Sequence, residues 1–242
     1  MTPTQLTNKL QLELRRAQEE VRNLSYRPEF IKEFWVARDD LKHAKRRWNY
    51  FTDIDTLYPD RYFEKRSGRM KRWENKLGWA MSETLKIHSL VDFGCAVGSY
   101  LEGASNAGTE KILGYEFLHK FAIKYVPEKI KPFIHQADVG EPIKCGKYDC
   151  AMSIEVAEHL LEEKTDVFVE NLIRASNRLI ILTASRRSGT RHINPHFREF
   201  WIGKFVVRGC QYSPEFTQSL RTAWKEIKAP EYLMFNLMIF TV

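Results

Sequence analysis

Residues 90–100 read Leu90-Val91-Asp92-Phe93-Gly94-Cys95-Ala96-Val97-Gly98-Ser99-Tyr100. An apolar run, two glycines and a polar start to a longer segment predict a strand, a tight turn and a helix. Glycine lets the backbone turn sharply and lets a ligand approach closely. The stretch is not the G-x-G-x-x-G of dinucleotide folds, because Ala96 takes the middle position. Nor is it a phosphate-cradling loop, since no Gly-Lys-Ser/Thr follows. Two acidic residues come next in order. Gly114-Tyr115-Glu116 closes the next apolar run, and Gln136-Ala137-Asp138 closes the one after. A carboxylate about twenty residues beyond such a loop is placed to accept ribose hydroxyls of a nucleoside.

The pattern around this stretch sets the architecture. Strands are predicted at 90–93, 112–116, 132–136, 148–153, 178–183 and 234–241. Helices are predicted at 100–106, 118–126, 156–175 and 197–207. Strands alternating with helices imply a mostly parallel sheet covered on both faces. Before Gly68 there is no glycine, which fits long helices. Leu10, Leu14, Ala17, Val21 and Leu24 recur at steps of three and four, a narrow apolar stripe on a helix. Such a stripe suits a partner helix, so a homo-oligomer contact through the N-terminal helices is expected. Pro28 opens a second helix towards Phe51. Residues 53–61 read as a loop. The expected organisation is an N-terminal helical extension over 1–60 and an α/β domain over 61–242.

Ser153-Ile154-Glu155-Val156-Ala157-Glu158-His159 carries the densest chemistry. On a helix, Glu155, Glu158 and His159 fall at i, i+3 and i+4 and share one face. Two carboxylates that close repel unless one is protonated or a cation lies between them. Alone, the run also reads as a solvated acidic face. The glycine loop upstream and His192 and His196 downstream favour a metal. Carboxylate and imidazole ligands suit Mg²⁺, Mn²⁺ or Zn²⁺ without choosing among them. His196 reads better as a polar residue opening a helix. His43, His88, His119 and His135 have no convergent partners.

The 242 residues suffice for one α/β domain with an extension. Four cysteines without a C-x-x-C exclude a zinc knuckle and give no disulfide pattern, which points to a reducing, cytoplasmic compartment, the host's if the chain is viral. Met1 to Leu24 is polar, unlike a signal peptide, and no membrane span is expected. Net charge is +7, and residues 1–88 carry 19 Lys+Arg against 13 Asp+Glu. The excess lies between Lys42 and Lys76, interleaved with Trp48, Tyr50, Phe51, Tyr58, Tyr62, Phe63 and Trp73. Such a segment can grip phosphates and stack on bases or sugars. It equally fits an amphipathic helical lid with its aromatics on the core.

These motifs resemble, in order, those of class I S-adenosylmethionine-dependent methyltransferases. The likeness runs through Val91–Gly98, Gly114–Glu116, Ala137-Asp138 and Tyr148–Ser153, and covers residues 62–242. It implies a Rossmann-like, doubly wound, mostly parallel seven-stranded sheet. It implies a methyl-donor site at Asp92, Gly94, Cys95, Ala96, Gly98, Glu116, Asp138 and Ser153. The loop would hold the methionine moiety, Glu116 the ribose and Asp138 the adenine amino group. Ala96 departs from the family's usual glycine.

Glu155–His159 is similar to the E-x-x-E-H segment of small-RNA 3′-terminal 2′-O-methyltransferases and ubiquinone-pathway O-methyltransferases. Likeness to those groups implies a divalent cation on Glu155, Glu158, His159 and a later histidine. Thr190-Arg191-His192-Ile193-Asn194 supplies His192, and resembles the G-H-x-N segment of small bacterial and viral methyltransferases. Phe200-Trp201 and residues 236–240 fit the same group. His159 or His192 would also serve as base. A metal-free variant, with histidine as the base and the glutamates shaping the pocket, also fits the likeness.

The expected activity is methylation of a sugar hydroxyl on a glycan or glycosylated metabolite. A ribose 2′-O-methyltransferase acting on RNA is the alternative. A catalytically silent binding scaffold is the third reading. The chain contains no Pro-Pro, the motif with which the small-RNA enzymes meet a terminal nucleotide, and no RNA-binding module is recognisable. Arg186, Arg187 and Arg191 flank His192, where they either meet an acceptor phosphate or form a solvated loop.

Overall fold

The computed structural model describes residues 2–24, 31–52, 58–187 and 191–242. They fall into two units, Met1–Leu57 with Gly189–Ile193, and Tyr58–Ser188 with Asn194–Val242. Pro28 and residues 53–57, where a helix start and a loop are expected, lie outside the described residues.

The first unit holds helices α1 (Pro3–Leu24) and α2 (Ile31–Thr52), packed on each other. Leu10 is buried and Leu14, Ala17, Val21 and Leu24 are partly covered, while most positions between them are exposed. The stripe read from the sequence is therefore the covered side of α1. Arg47 Nε donates to Glu13 Oε2 at 3.2 Å, tying α2 to α1.

The second unit carries a seven-stranded sheet in the order β3-β2-β1-β4-β5-β7-β6. Its strands are β1 (Ser89–Phe93), β2 (Lys111–Glu116), β3 (Ile134–Gln136), β4 (Tyr148–Ile154), β5 (Ser176–Thr183), β6 (Gln211–Tyr212) and β7 (Met238–Thr241). β1 to β5 run parallel, and β7 is antiparallel to both β5 and β6. The doubly wound, mostly parallel sheet expected from the sequence is thus present.

Side chains alternate between the faces with the period of two that strands impose. Leu90, Cys150, Met152, Leu179, Ile181 and Ile239 fill one layer. Val91, Ala151, Ile180, Leu182, Met238 and Phe240 fill the other. On the first face lie helices at Lys71–Leu85, Ser99–Asn106 and Pro214–Glu226, contributing Leu77, Leu101, Leu220 and Trp224. On the second lie helices at Thr165–Ala175 and Arg198–Val206, contributing Phe168, Leu172, Trp201 and Phe205. Two glycines bring the first pair of helices together. A Cβ at Gly103 would stand 2.0 Å from Asn75 O, and one at Gly78 2.2 Å from Tyr100 O. No side chain fits there, so both positions require glycine.

In chain order the helices of this unit are α3 (Asp60–Lys65), α4 (Lys71–Leu85), α5 (Ser99–Asn106), α6 (His119–Ala122), α7 (Thr165–Ala175), α8 (Arg198–Val206), α9 (Pro214–Glu226) and α10 (Glu231–Asn236). Several boundaries differ from the sequence reading. α3 begins at Asp60, inside the expected loop, where Asp60 supplies the acidic first turn. The helix expected at 156–175 starts only at Thr165. That expected at 118–126 is the single α6 turn and a 3₁₀ turn, Ile123–Tyr125. The final strand is four residues, because Glu231–Asn236 is helical behind Pro230. Gln211–Tyr212, α4 and α9 were not expected as separate elements.

The sheet order reverses between β1 and β4, which both leave from its centre. Ligands of open parallel sheets bind outside the carboxyl ends of the strands at such a switch point. The glycine loop follows β1 and the Glu155–His159 run follows β4, so the fold delivers both to that edge. Among the described residues no helix is long and apolar enough to cross a membrane.

Candidate active site

The loop after β1 is held open by backbone geometry. Gly94 and Gly98 have φ of 90° and 72°, and Ala96 also sits at positive φ, 48°. Gly94 N–H and Cys95 N–H both donate to Tyr115 O, at 2.8 and 2.9 Å, anchoring the turn to the end of β2. The Cys95 side chain is buried against β2. A Cβ at Gly114 would stand 2.7 Å from its Sγ. Cys95 therefore offers the loop its backbone. Ala96 N–H donates to Glu116 Oε2 at 2.9 Å, and Leu118 N–H to Glu116 Oε1 at 2.9 Å. The carboxylate read as the ribose acceptor thus also braces the loop. Burial raises the Glu116 pKa, and the two N–H donors oppose that rise.

Asp92 closes this group from below. It is 2% exposed, and Oδ1 has no hydrogen-bond partner. Burial, then the nearby Glu116 charge, pushes its pKa well up. Asp138 accepts from Gly140 N–H at 2.9 Å and pairs with Lys164, which also reaches Glu141 at 2.9 Å. Burial opposes the Lys164 charge, but the two carboxylates outweigh it and raise its pKa. Lys164 was not foreseen, since nothing in the sequence pairs it with a residue 26 positions earlier. Ser153 is buried and donates to Phe93 O at 2.6 Å. Its hydroxyl clamps the ends of β4 and β1 together.

The Glu155–His159 run is not on an α-helix, and this corrects the expected i, i+3, i+4 face. β4 ends at Ile154, Glu155 takes φ 55°, and Ala157–His159 forms one 3₁₀ turn. Glu155 N–H donates to Thr183 Oγ1 and Thr183 O, at 2.9 and 3.1 Å. These bonds tie the turn to β5, and the positive φ at Glu155 breaks helical geometry there. Glu155 Oε1 accepts from Asn236 Nδ2 at 3.0 Å. Glu158 has no exposure, and neither carboxylate oxygen has a hydrogen-bond partner. Burial, then the Glu155 charge, holds its pKa well above the ordinary glutamate value. His159 Nδ1 lies 2.8 Å from Tyr58 Oη, the two rings edge to face.

The loop after β5 returns to this turn. Asn194 N–H donates to Glu158 O at 3.0 Å, and Asn194 Nδ2 donates to Thr165 Oγ1 at 3.0 Å. Of the four metal ligands read from the sequence, Glu155, Glu158 and His159 sit on this one turn, and His192 belongs to the first unit. His196 is placed elsewhere. It stacks on Phe200 at 3.7 Å, bonds to Asn194 Oδ1 at 2.8 Å, and burial lowers its pKa. Arg186 lies over Phe235, 4.5 Å from the ring centroid, with Phe197 also in range.

Tyr58, Asn236, Thr183 and Asn194 were not read as site residues. The segments Thr190–Asn194 and 236–240 carry Asn194 and Asn236 without a role for either in the sequence reading. Of the basic aromatic segment, Phe63 is buried and Trp73 packs against the core.

This sheet order, with the loop after β1 and acids closing β2 and β3, defines the fold of class I methyltransferases. Solved structures bear the fold out. The plantazolicin methyltransferase BpumL in complex with SAH is 16% identical, matches over 93% of this chain and 98% of its own, and has a TM-score of 0.53. The plantazolicin methyltransferase BamL with a triazolic desmethylPZN analog and SAH is 13% identical over 82% and 94%, TM-score 0.52. A chain from the complex of the Haloferax volcanii Trm112 methyltransferase activator with a methyltransferase is 13% identical over 74% and 96%, TM-score 0.51. No protein-family model matches the chain, and no curated protein matches its sequence.

Proposed function

We infer that the chain is an S-adenosylmethionine-dependent O-methyltransferase, assisted by a divalent cation, that methylates a sugar hydroxyl. The observation that carries the reading is Glu158, a fully buried carboxylate with both oxygens unpartnered, next to His159 in the chain. A buried ionised carboxylate demands a counter-charge or a proton. Glu158 and His159 offer mixed oxygen and nitrogen donors that fit Mg²⁺, Mn²⁺ or Zn²⁺, with Glu155 on the same turn and His192 the further ligand that the sequence likeness implies.

A divalent cation there would lower the pKa of an acceptor hydroxyl and stabilise the developing alkoxide. The chain's own residues supply the rest. The glycine loop and Glu116 bind and orient the donor at the β1 edge. Glu155–His159 follows β4 at the same carboxyl edge of the sheet, where it would hold the acceptor oxygen in line with the methyl carbon. Tyr58 fixes the His159 ring. With Nδ1–H donating to the Tyr58 oxygen, Nε2 carries the lone pair that binds a cation or takes the acceptor proton. SAH in the BpumL and BamL structures supports the donor. The chain's lack of Pro-Pro supports a sugar over an RNA terminus.

The deciding experiment is methyl transfer from labelled donor to a glycan panel and to RNA oligonucleotides, with and without EDTA. Transfer to glycans that EDTA abolishes supports the reading. EDTA-insensitive transfer removes the cation. Transfer to RNA alone, falling steeply with salt, removes the sugar.

A further inference from the structure

The helical run from Asp60 to Leu85 is interrupted once. After α3 the turn Arg66–Met70 widens, and Gly68 leaves helical geometry with φ −87° and ψ −116°. Widened turns inside helices recur at functional sites. This one sets Arg66 against α4. Arg66 Nη2 donates to Glu74 Oε1 at 2.5 Å, and Nη1 to Tyr62 Oη at 3.1 Å. Glu74 is 2% exposed, so the pair is a committed structural feature.

The guanidinium has more to give. Its Nε–H is buried and has no acceptor. Two more buried polar atoms lack a direct hydrogen bond, Asp92 Oδ1 just before the glycine loop and Ser99 Oγ just after it, where the hydroxyl stands near the Glu74 carboxylate. A buried polar group without a partner is costly and calls for an explanation. Together the three comprise a cationic donor, a hydroxyl and a carboxylate oxygen, and the last two bracket residues 94–98. The Arg66 charge also reaches Asp92, Glu116 and Cys95, where it opposes the upward pull of burial on each.

The amino-acid end of an S-adenosyl donor is a zwitterion, a carboxylate beside an ammonium. An orphaned N–H and a hydroxyl match the carboxylate, and an orphaned carboxylate oxygen matches the ammonium. We propose that Arg66, with Ser99, binds the carboxylate of the methyl donor, and that Glu74 is the residue that positions Arg66. This rests on the methyl-donor reading of the glycine loop.

The test is calorimetry with two ligands, S-adenosylhomocysteine and 5′-deoxy-5′-methylthioadenosine, which lacks the amino-acid end. The variants are the double change Arg66→Met with Glu74→Gln, which leaves no unpaired buried charge, and Ser99→Ala, which leaves the ion pair intact. Circular dichroism checks that each is folded. In the double variant, affinity for S-adenosylhomocysteine falls roughly ten- to hundredfold, and that for methylthioadenosine is unchanged. Ser99→Ala gives a smaller loss, again confined to S-adenosylhomocysteine. Equal losses for both ligands, or no loss, would overturn the assignment while leaving the donor site intact. Wild-type protein that binds neither ligand would overturn the donor reading as well.

Discussion

Glu158→Met is expected to stabilise the cation-free protein while destroying its activity. Wild type buries a carboxylate that has no hydrogen-bond partner. Leaving such a group unsatisfied costs about 1–3 kcal/mol, and methionine of similar length removes it without opening a large cavity. A gain of about 2 kcal/mol raises the melting temperature of a domain this size by roughly 4–8 °C. The pH dependence follows from the direction of the shift. The folded pKa lies above the unfolded one, so the folded state holds the proton longer. Wild-type stability is highest below the ordinary glutamate value. It falls as pH rises from there through the folded pKa. The variant's advantage is therefore largest at pH 8 and shrinks towards pH 5. Adding Mn²⁺ or Mg²⁺ reverses the order. At a hundred times its Kd, a bound cation contributes about 2.7 kcal/mol to wild type and nothing to the variant. Thermal melts at pH 5 and pH 8, in EDTA and in excess cation, read all four cases. A variant that melts below wild type in EDTA at pH 8 would refute the reasoning, because Glu158 would then be part of the packing.

Other substitutions probe the rest of the site. Glu116→Ala should weaken S-adenosylhomocysteine binding by roughly ten- to a hundredfold in calorimetry, because it frees the Ala96 and Leu118 N–H groups and removes the carboxylate proposed to accept the ribose hydroxyls. Gly94→Ala puts a Cβ 2.5 Å from Val156 Cγ2 at φ 90°, and should cost about 1–3 kcal/mol in urea denaturation. Tyr58→Phe should leave donor affinity alone but lower kcat about tenfold or more and move the pH–rate profile, since His159 Nδ1 loses its partner.

The sheet was legible because its signals are local. Leu90–Phe93, Lys111–Glu116 and Tyr148–Ile154 are short apolar runs closed by a glycine or an acid, and each proved a parallel strand with that residue at its carboxyl end. Asp92, Gly94, Ala96, Gly98 and Glu116 were read together as one site, and hydrogen bonds through Tyr115 O and the Glu116 carboxylate join Gly94, Ala96 and Glu116 among them. Partners set by tertiary structure were not legible. Lys164 meets Asp138 across 26 positions, Tyr58 meets His159 across 101, and Asn236 meets Glu155 across 81. No periodicity encodes those pairings.

The misread helix at Glu155 shows how the two kinds of information interact. The spacing E-x-x-E-H satisfies a helix face, and that reading put both carboxylates and His159 side by side. The chain reaches a related end by another route. Thr183 takes the Glu155 N–H, and the positive φ at Glu155 turns the chain out of β4. A non-glycine residue at such a φ is uncommon and persists where its surroundings over-determine it. The Asn236 bond to its carboxylate and the β5 bonds to its backbone do so here. The strain frees the following turn to direct Glu158 inward, where a helix would have placed it level with Glu155. Relieving it with Glu155→Gly therefore keeps the backbone but loses the anchor to Asn236. If the turn serves to aim Glu158, this variant should fold with near-normal stability and bind S-adenosylhomocysteine normally. Its response to divalent cation in thermal melts should shrink. An unaltered cation response would separate Glu155 from the aiming of Glu158.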